Sequence, residues 1–203
     1  MDASATRTAR PLESGRMLRP RHPVAPQPGA FTGGPQHGLP IRALTPAMSA
    51  SWWWVGTHGG AGVSTLAVAV PEGAEHGRYW PAPAPASRQR VRVVIVARTN
   101  LAGLVSAQAA AAQWASGALP AGIDLLGLAL VADAPGRLPR PLTQLIGVLA
   151  GGVPCVWTLP WVERLRTCPP HEVSLPRPYR SLAGQLSRFL SKDDHDHCVR
   201  GRR

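Results

Sequence analysis

The stretch Val55-Gly-Thr-His-Gly-Gly-Ala-Gly-Val-Ser-Thr-Leu66 decides how the chain reads. It follows the apolar run Trp52-Trp-Trp54 and leads into residues 63–70, whose composition suits a short helix. A glycine-rich turn between a strand and a helix points several backbone N–H groups at one spot, and the helix dipole adds to the attraction for an anion. Phosphate is the anion such loops hold, and phosphate-loop chemistry also uses a lysine beside the Ser or Thr to reach the β- and γ-phosphates. Val63 stands in that place, ahead of Ser64 and Thr65, and Lys192 near the C-terminus is the only lysine among 203 residues. The scaffold of a phosphate loop is present without its charge.

Outward from the loop, apolar strand-like runs alternate with helical ones. Strands are expected at 51–55, 92–97, 125–132 and 155–159, and helices at 63–70, 101–116 and 142–150. That alternation predicts an α/β domain with a parallel sheet. Three consecutive tryptophans on one strand must face both sides, which suits a central strand covered on both faces. Thr99 or Asn100 caps the second helix, whose Leu101, Leu104, Val105 and Gln108 share a face, and Gly117 and Pro120 end it. Residues 179–190 place Leu182, Leu186, Phe189 and Leu190 at helical spacing, so a terminal amphipathic helix is expected. The Pro-rich interval 79–90 reads as an extended loop. The domain organisation follows. Residues 1–49, rich in Pro, Arg and Gly without an apolar period, form a disordered tail. Residues 51–190 form the α/β domain, and 191–203 a polar C-terminal tail.

A net charge of +11 and a pI near 11.4 favour nucleic acid or anionic lipid as a partner. The arginines are spread along the chain with no basic block, so a generic basic surface outweighs a specific nucleic-acid site. Cys155, Cys168 and Cys198 make no CxxC pair, and with no apolar leader at the N-terminus they read as reduced thiols in a cytoplasmic protein. The apolar stretch 142–159 is split by Gly151, Gly152 and Pro154, which argues against a membrane span. Asp194-His-Asp-His-Cys198 contains metal-ligand types but lacks a second cluster to complete a tetrahedral site, and Cys168-Pro-Pro-His171 lacks a base.

His58-Gly-Gly-Ala-Gly-Val-Ser-Thr-Leu66 resembles the deviant Walker A loop of the ParA/MinD family of ATPases, Lys-Gly-Gly-x-Gly-Lys-[Ser/Thr]-Thr. The glycines and hydroxyls match, whereas His58 and Val63 stand where the two lysines would be. Val93-Val-Ile-Val-Ala-Arg-Thr-Asn100 and Leu125-Leu-Gly-Leu-Ala-Leu-Val-Ala-Asp-Ala134 are similar to later strands of that family, and residues 153–166 to the next strand and its exit. The likeness covers residues 51–166, with a gap between Val70 and Val91 where the family carries its water-positioning carboxylate and Walker B strand.

The resemblance implies a shortened P-loop NTPase-like parallel sheet flanked by helices. Its ligand would be ATP or ADP with Mg²⁺. The nucleotide phosphates would lie against His58, Gly59, Gly60, Ala61, Gly62, Val63, Ser64 and Thr65, with the metal at Ser64. Losing a lysine removes a charge-assisted contact of about 1.5–3 kcal/mol. Arg98, at a strand's carboxyl end, stands where it can compensate, or makes a surface ion pair. Asp133 either serves Mg²⁺ or the base, or forms an Asx turn before Pro135 and Gly136. No catalytic residue is assigned. The function implied is a non-hydrolysing nucleotide- or partner-binding regulatory module, linked by resemblance to partition or transfer of mobile DNA, with a protein partner or a second copy. Two alternatives stand beside it: a weak ATPase using His58 or Arg98, and a DNA-binding accessory protein using its arginine-rich tails.

Overall fold

The computed structural model describes residues 17–18, 38–45, 48–83 and 90–200. Eight strands occur among them: β1 (Met17–Leu18), β2 (Ile41–Ala43), β3 (Trp52–Gly56), β4 (Gly73–Glu75), β5 (Trp80–Ala82), β6 (Val91–Arg98), β7 (Ile123–Val131) and β8 (Val156–Leu159). The helices are α1 (Val63–Ala69), α2 (Leu101–Ala115), α3 (Arg140–Gly152) and α4 (Arg177–Arg200), with 3₁₀ turns at Glu163–Arg166 and Pro170–Glu172.

The main sheet runs β1-β8-β7-β6-β3-β4, with β1 antiparallel and every other pair parallel. Numbered along the chain, its five parallel strands lie in the order second, first, third, fourth, fifth. This doubly wound order reverses direction between β3 and β6, and open α/β sheets bind ligands outside the carboxyl ends of the strands at such a switch point.

Helices cover both faces because the central strands are apolar on both. Trp53, Val55, Val93 and Ile95 pack with Leu104 and Ala107 of α2 and with Ile146 and Leu149 of α3. Trp52, Trp54, Val94 and Val96 pack with Leu66 of α1 and with Tyr179, Leu182 and Leu186 of α4. The three tryptophans therefore alternate between the faces as a two-residue period requires, at 1%, 4% and 0% exposure. Trp52 and Trp54 meet edge to face at 5.8 Å. Their indole nitrogens lie 2.1 and 2.5 Å from where a Cβ on Gly73 would stand, so only glycine lets β4 approach.

The structure corrects several expectations. Within residues 1–49, the segments 17–18 and 38–45 are not tail: β1 extends the sheet edge, and β2 pairs in parallel with β5 in a separate two-stranded sheet. The rest of 1–37 lies outside the described residues, as do 46–47. Trp80–Ala82, expected inside an extended loop, is the partner strand, because its main chain finds β2 alongside. The region 191–203 does not begin as a tail, since α4 continues to Arg200. In α2 the buried face is Gly103, Leu104, Ala107, Ala110 and Ala111, while Leu101 is 62% exposed. Small residues face the sheet because they let the helix lie close to it. Among the described residues, no helix is long and apolar enough to cross a membrane.

Candidate functional site

The loop leaves β3 at the switch point and is fixed by polar ties to β6. Thr57 N–H and Oγ1 both donate to the Val96 carbonyl, at 2.9 and 3.2 Å. The backbone N–H of Arg98 donates to His58 Nε2 at 3.0 Å. A backbone N–H is an obligatory donor, so Nε2 accepts, and the ring proton is assigned to Nδ1, 2.8 Å from the Gly59 carbonyl. His58 thus ties the loop to β6 through Nε2, while Nδ1 stays on the carbonyl of its neighbour Gly59 within the loop.

Arg98 closes the arrangement from the carboxyl end of β6. Its Nε donates to the Gly60 carbonyl at 3.1 Å and its Nη1 to the Ala132 carbonyl at 2.9 Å, bridging the loop and the end of β7. Nη2 makes no hydrogen bond among the described residues, which leaves guanidinium donors at the crest of the loop. Gly60 and Gly62 adopt φ of +74° and +104°, values that L side chains rarely take, and they turn the chain from β3 into α1. Around Gly59 and Gly60 the space a Cβ would enter is open, whereas Ala61 is buried and Gly62 abuts Val131. Val63 begins α1 half-buried, and its side chain is directed into packing against the core.

Ser64 is exposed, and its hydroxyl donates to Glu75 Oε2 at 3.0 Å. Glu75 ends β4, the strand beside β3, within the interval that sequence comparison leaves as a gap. By accepting the hydroxyl proton it leaves the Ser64 oxygen lone pairs free for a cation. Sequence reading missed this carboxylate because a three-residue strand carries no periodicity, and only its pairing with β3 brings it to Ser64. Thr99 and Asn100 divide the roles expected of either one. Asn100 Oδ1 caps α2 by accepting from Gly103 N–H at 2.7 Å, and Thr99 Oγ1 accepts from Asp133 N–H at 3.1 Å. Asp133 is thereby held beside Arg98 by its backbone while its carboxylate faces solvent. The structure thus gathers His58, the glycines, Arg98 and Asp133 at the carboxyl ends of β3, β6 and β7. Ser64 stands on the β4 side of the same loop, and Thr65 one residue further into α1.

Beneath the site, Tyr179 of α4 donates to the Pro160 carbonyl at 3.1 Å, and burial pushes its hydroxyl up to about 12 against the opposing pull of the Arg98 charge. On the other flank, Gly56 N–H donates to the Gly77 carbonyl at 2.7 Å, tying the loop's root to the turn after β4.

A model described as a family of unknown function (DUF6668) matches residues 50–181. The chain belongs to that family. The matched region runs from two residues before β3 into the start of α4, so it contains the loop, Glu75, Arg98 and Asp133 and leaves out β1 and β2. No curated protein and no solved structure matches the chain.

Proposed function

We propose that the chain is a degenerate ParA/MinD-like P-loop protein that binds a nucleotide or phosphate at the β3–β6 switch point without hydrolysing it, and serves as a regulatory or partner-binding module. The observation that carries this reading is Arg98: from the neighbouring strand it reaches the loop that lacks its lysine, hydrogen-bonds Gly60, and presents uncommitted donors beside an open crest. Backbone N–H groups from Gly60 to Thr65 would meet the phosphates, Ser64 would meet Mg²⁺, and Glu75 would orient the Ser64 hydroxyl. The α/β sheet with its switch point supports the resemblance, and the link to partition or transfer of mobile DNA rests on resemblance alone.

The test is calorimetric titration of the intact chain with ATP and ADP, with and without Mg²⁺. Micromolar binding, about 8 kcal/mol, is expected, falling at least about tenfold in Arg98→Ala, the equivalent of one charge-assisted hydrogen bond. No binding by the natural chain or by Val63→Lys would sink the reading. Mg²⁺-dependent ATP turnover abolished by Ser64→Ala would replace it with a weak ATPase, a second reading that the Ser64–Glu75 pair favours.

A further inference from the structure

Away from the loop, residues 38–45 lie along a groove in a manner that resembles bound peptide more than covalent continuation. Leu39 N–H donates to Gln113 Oε1 at 2.8 Å, and the Leu39 carbonyl accepts from Gln113 Nε2 at 3.0 Å. The side-chain amide of Gln113 therefore pairs with the main chain of Leu39 as a neighbouring strand would. Trp80 Nε1 holds the same Oε1 at 2.8 Å, which fixes the amide's orientation. Beyond Pro40, β2 runs in parallel register with β5, and Trp80 N–H to Pro40 O and Leu44 N–H to Ala82 O continue the ladder at 2.8 and 2.9 Å. Arg42 stacks 3.6 Å over the Tyr79 ring. The side chains of β2 are exposed, while Leu39 and Leu44 pack on the core cluster that contains Trp53 and Trp80. Main-chain pairing flanked by two apolar anchors is how strand-addition sites hold extended peptides, and Pro40 biases Leu39 towards the extended form beforehand.

Two further observations set the segment apart from the groove. The family match begins at residue 50, so β5, His76 and Gln113 belong to the shared domain and residues 38–45 do not. His76 sits beside the segment at 6% exposure, edge-on to Trp53 at 5.4 Å, and its Nε2 has no partner among the described residues. The present strand thus bonds the His76 ring through the Arg42 backbone and leaves one buried ring nitrogen, Nε2, unused.

We propose that the groove formed by β5, Gln113 and His76 is an exchangeable strand-addition site, filled in cis by residues 38–45 and able to take the same segment from a second copy of this chain when the cis strand is out. Each copy carries both groove and strand, and the segment 38–45 is the sequence the groove demonstrably fits. A tethered strand competes at an effective concentration in the millimolar range, so the intact chain is self-occupied and exchange follows release. This inference is independent of what the β3 loop binds.

The test uses a fluorescently labelled peptide with the sequence of residues 38–45, titrated with the intact chain and with Gly38→Val. A Cβ on Gly38 would stand 2.1 Å from Gln113 Oε1 and 2.4 Å from its Cδ, so the substitution forces that amide away from Leu39 and frees the groove. The peptide is expected to bind Gly38→Val at least about tenfold more tightly than the natural chain. Adding Gln113→Ala to that variant should remove the gain, and a scrambled peptide should show none. Equal weak binding by both chains, with far-UV circular dichroism unchanged, would overturn the proposal, as would binding indifferent to Gln113. Should Gly38→Val not fold, hydrogen exchange on Gln113→Ala decides: the Leu44 amide is expected to exchange fast while Val94 and Ile95 stay protected. Equal protection of the two segments would refute an exchangeable strand.

Discussion

Strand β3 and the loop that leaves it are adjacent in sequence and opposite in how they are held. Trp52, Trp53 and Trp54 are fixed by shape, each enclosed by helices on its own face of the sheet. The loop is fixed by polar ties, from Thr57 to Val96, from His58 to the Arg98 backbone and from the Arg98 side chain to Gly60, under an open crest at Gly59 and Gly60. Packing resists any change in volume, whereas hydrogen bonds set a position and leave the surface above it free. Stability should therefore reside in the strand and ligand response in the loop.

The largest break in that contrast is Trp54→Ala, expected to cost about 3–5 kcal/mol in chemical denaturation; a cost below about 1 kcal/mol would mean the indole does not fill the core. Gly73→Ala puts a methyl group against both indole nitrogens, and overpacking of that kind is expected to lower stability by about 1–3 kcal/mol. At the loop, Arg98→Ala should lose about 1–2 kcal/mol of stability yet a larger share of any phosphate affinity. A variant that loses stability and keeps its affinity would place the ligand elsewhere.

Acid probes the region between the two. Burial lowers the His76 pKa below its ordinary 6.5, and the Arg42 charge lowers it further, while a backbone hydrogen bond to Arg42 works the other way. The unfolded chain then takes up this proton before the folded one does, so stability falls as pH drops through about 6.5. Thermal melts between pH 7 and 5 should show a shallower pH slope for His76→Leu than for the natural chain. An unchanged slope would mean the site is not desolvated. The smallest effect is expected at the crest, where Gly59→Ala meets open space and should change stability by no more than about 0.5 kcal/mol.

Much of the fold was legible because its signals are local. The apolar runs at β3, β6, β7 and β8, the helices between them, and the alternation of Trp52, Trp53 and Trp54 between faces depend on periods of two and 3.6 residues read over short windows. The Asn100 cap and the positive-φ glycines of the loop are equally local. β4, β5 and β2 were not legible. Each is three residues long, too short for a period, and forms because a partner strand lies alongside. The buried face of α2 was misread for a related reason: hydrophobicity marked Leu101, while close approach to the sheet selected the alanines.

The sequence by itself determined the order of the longer strands and helices from β3 to β8, the turn after β3 and the valine at position 63, since backbone propensity, glycine geometry and residue identity act within a few positions. Only the tertiary structure decided which side chains meet. Ser64 meets Glu75 across 11 residues, Arg98 meets Gly60 across 38 and Gln113 meets Leu39 across 74. Contacts of that separation exist only after the sheet has set the strand order, because closing such loops costs entropy that the packed core offsets.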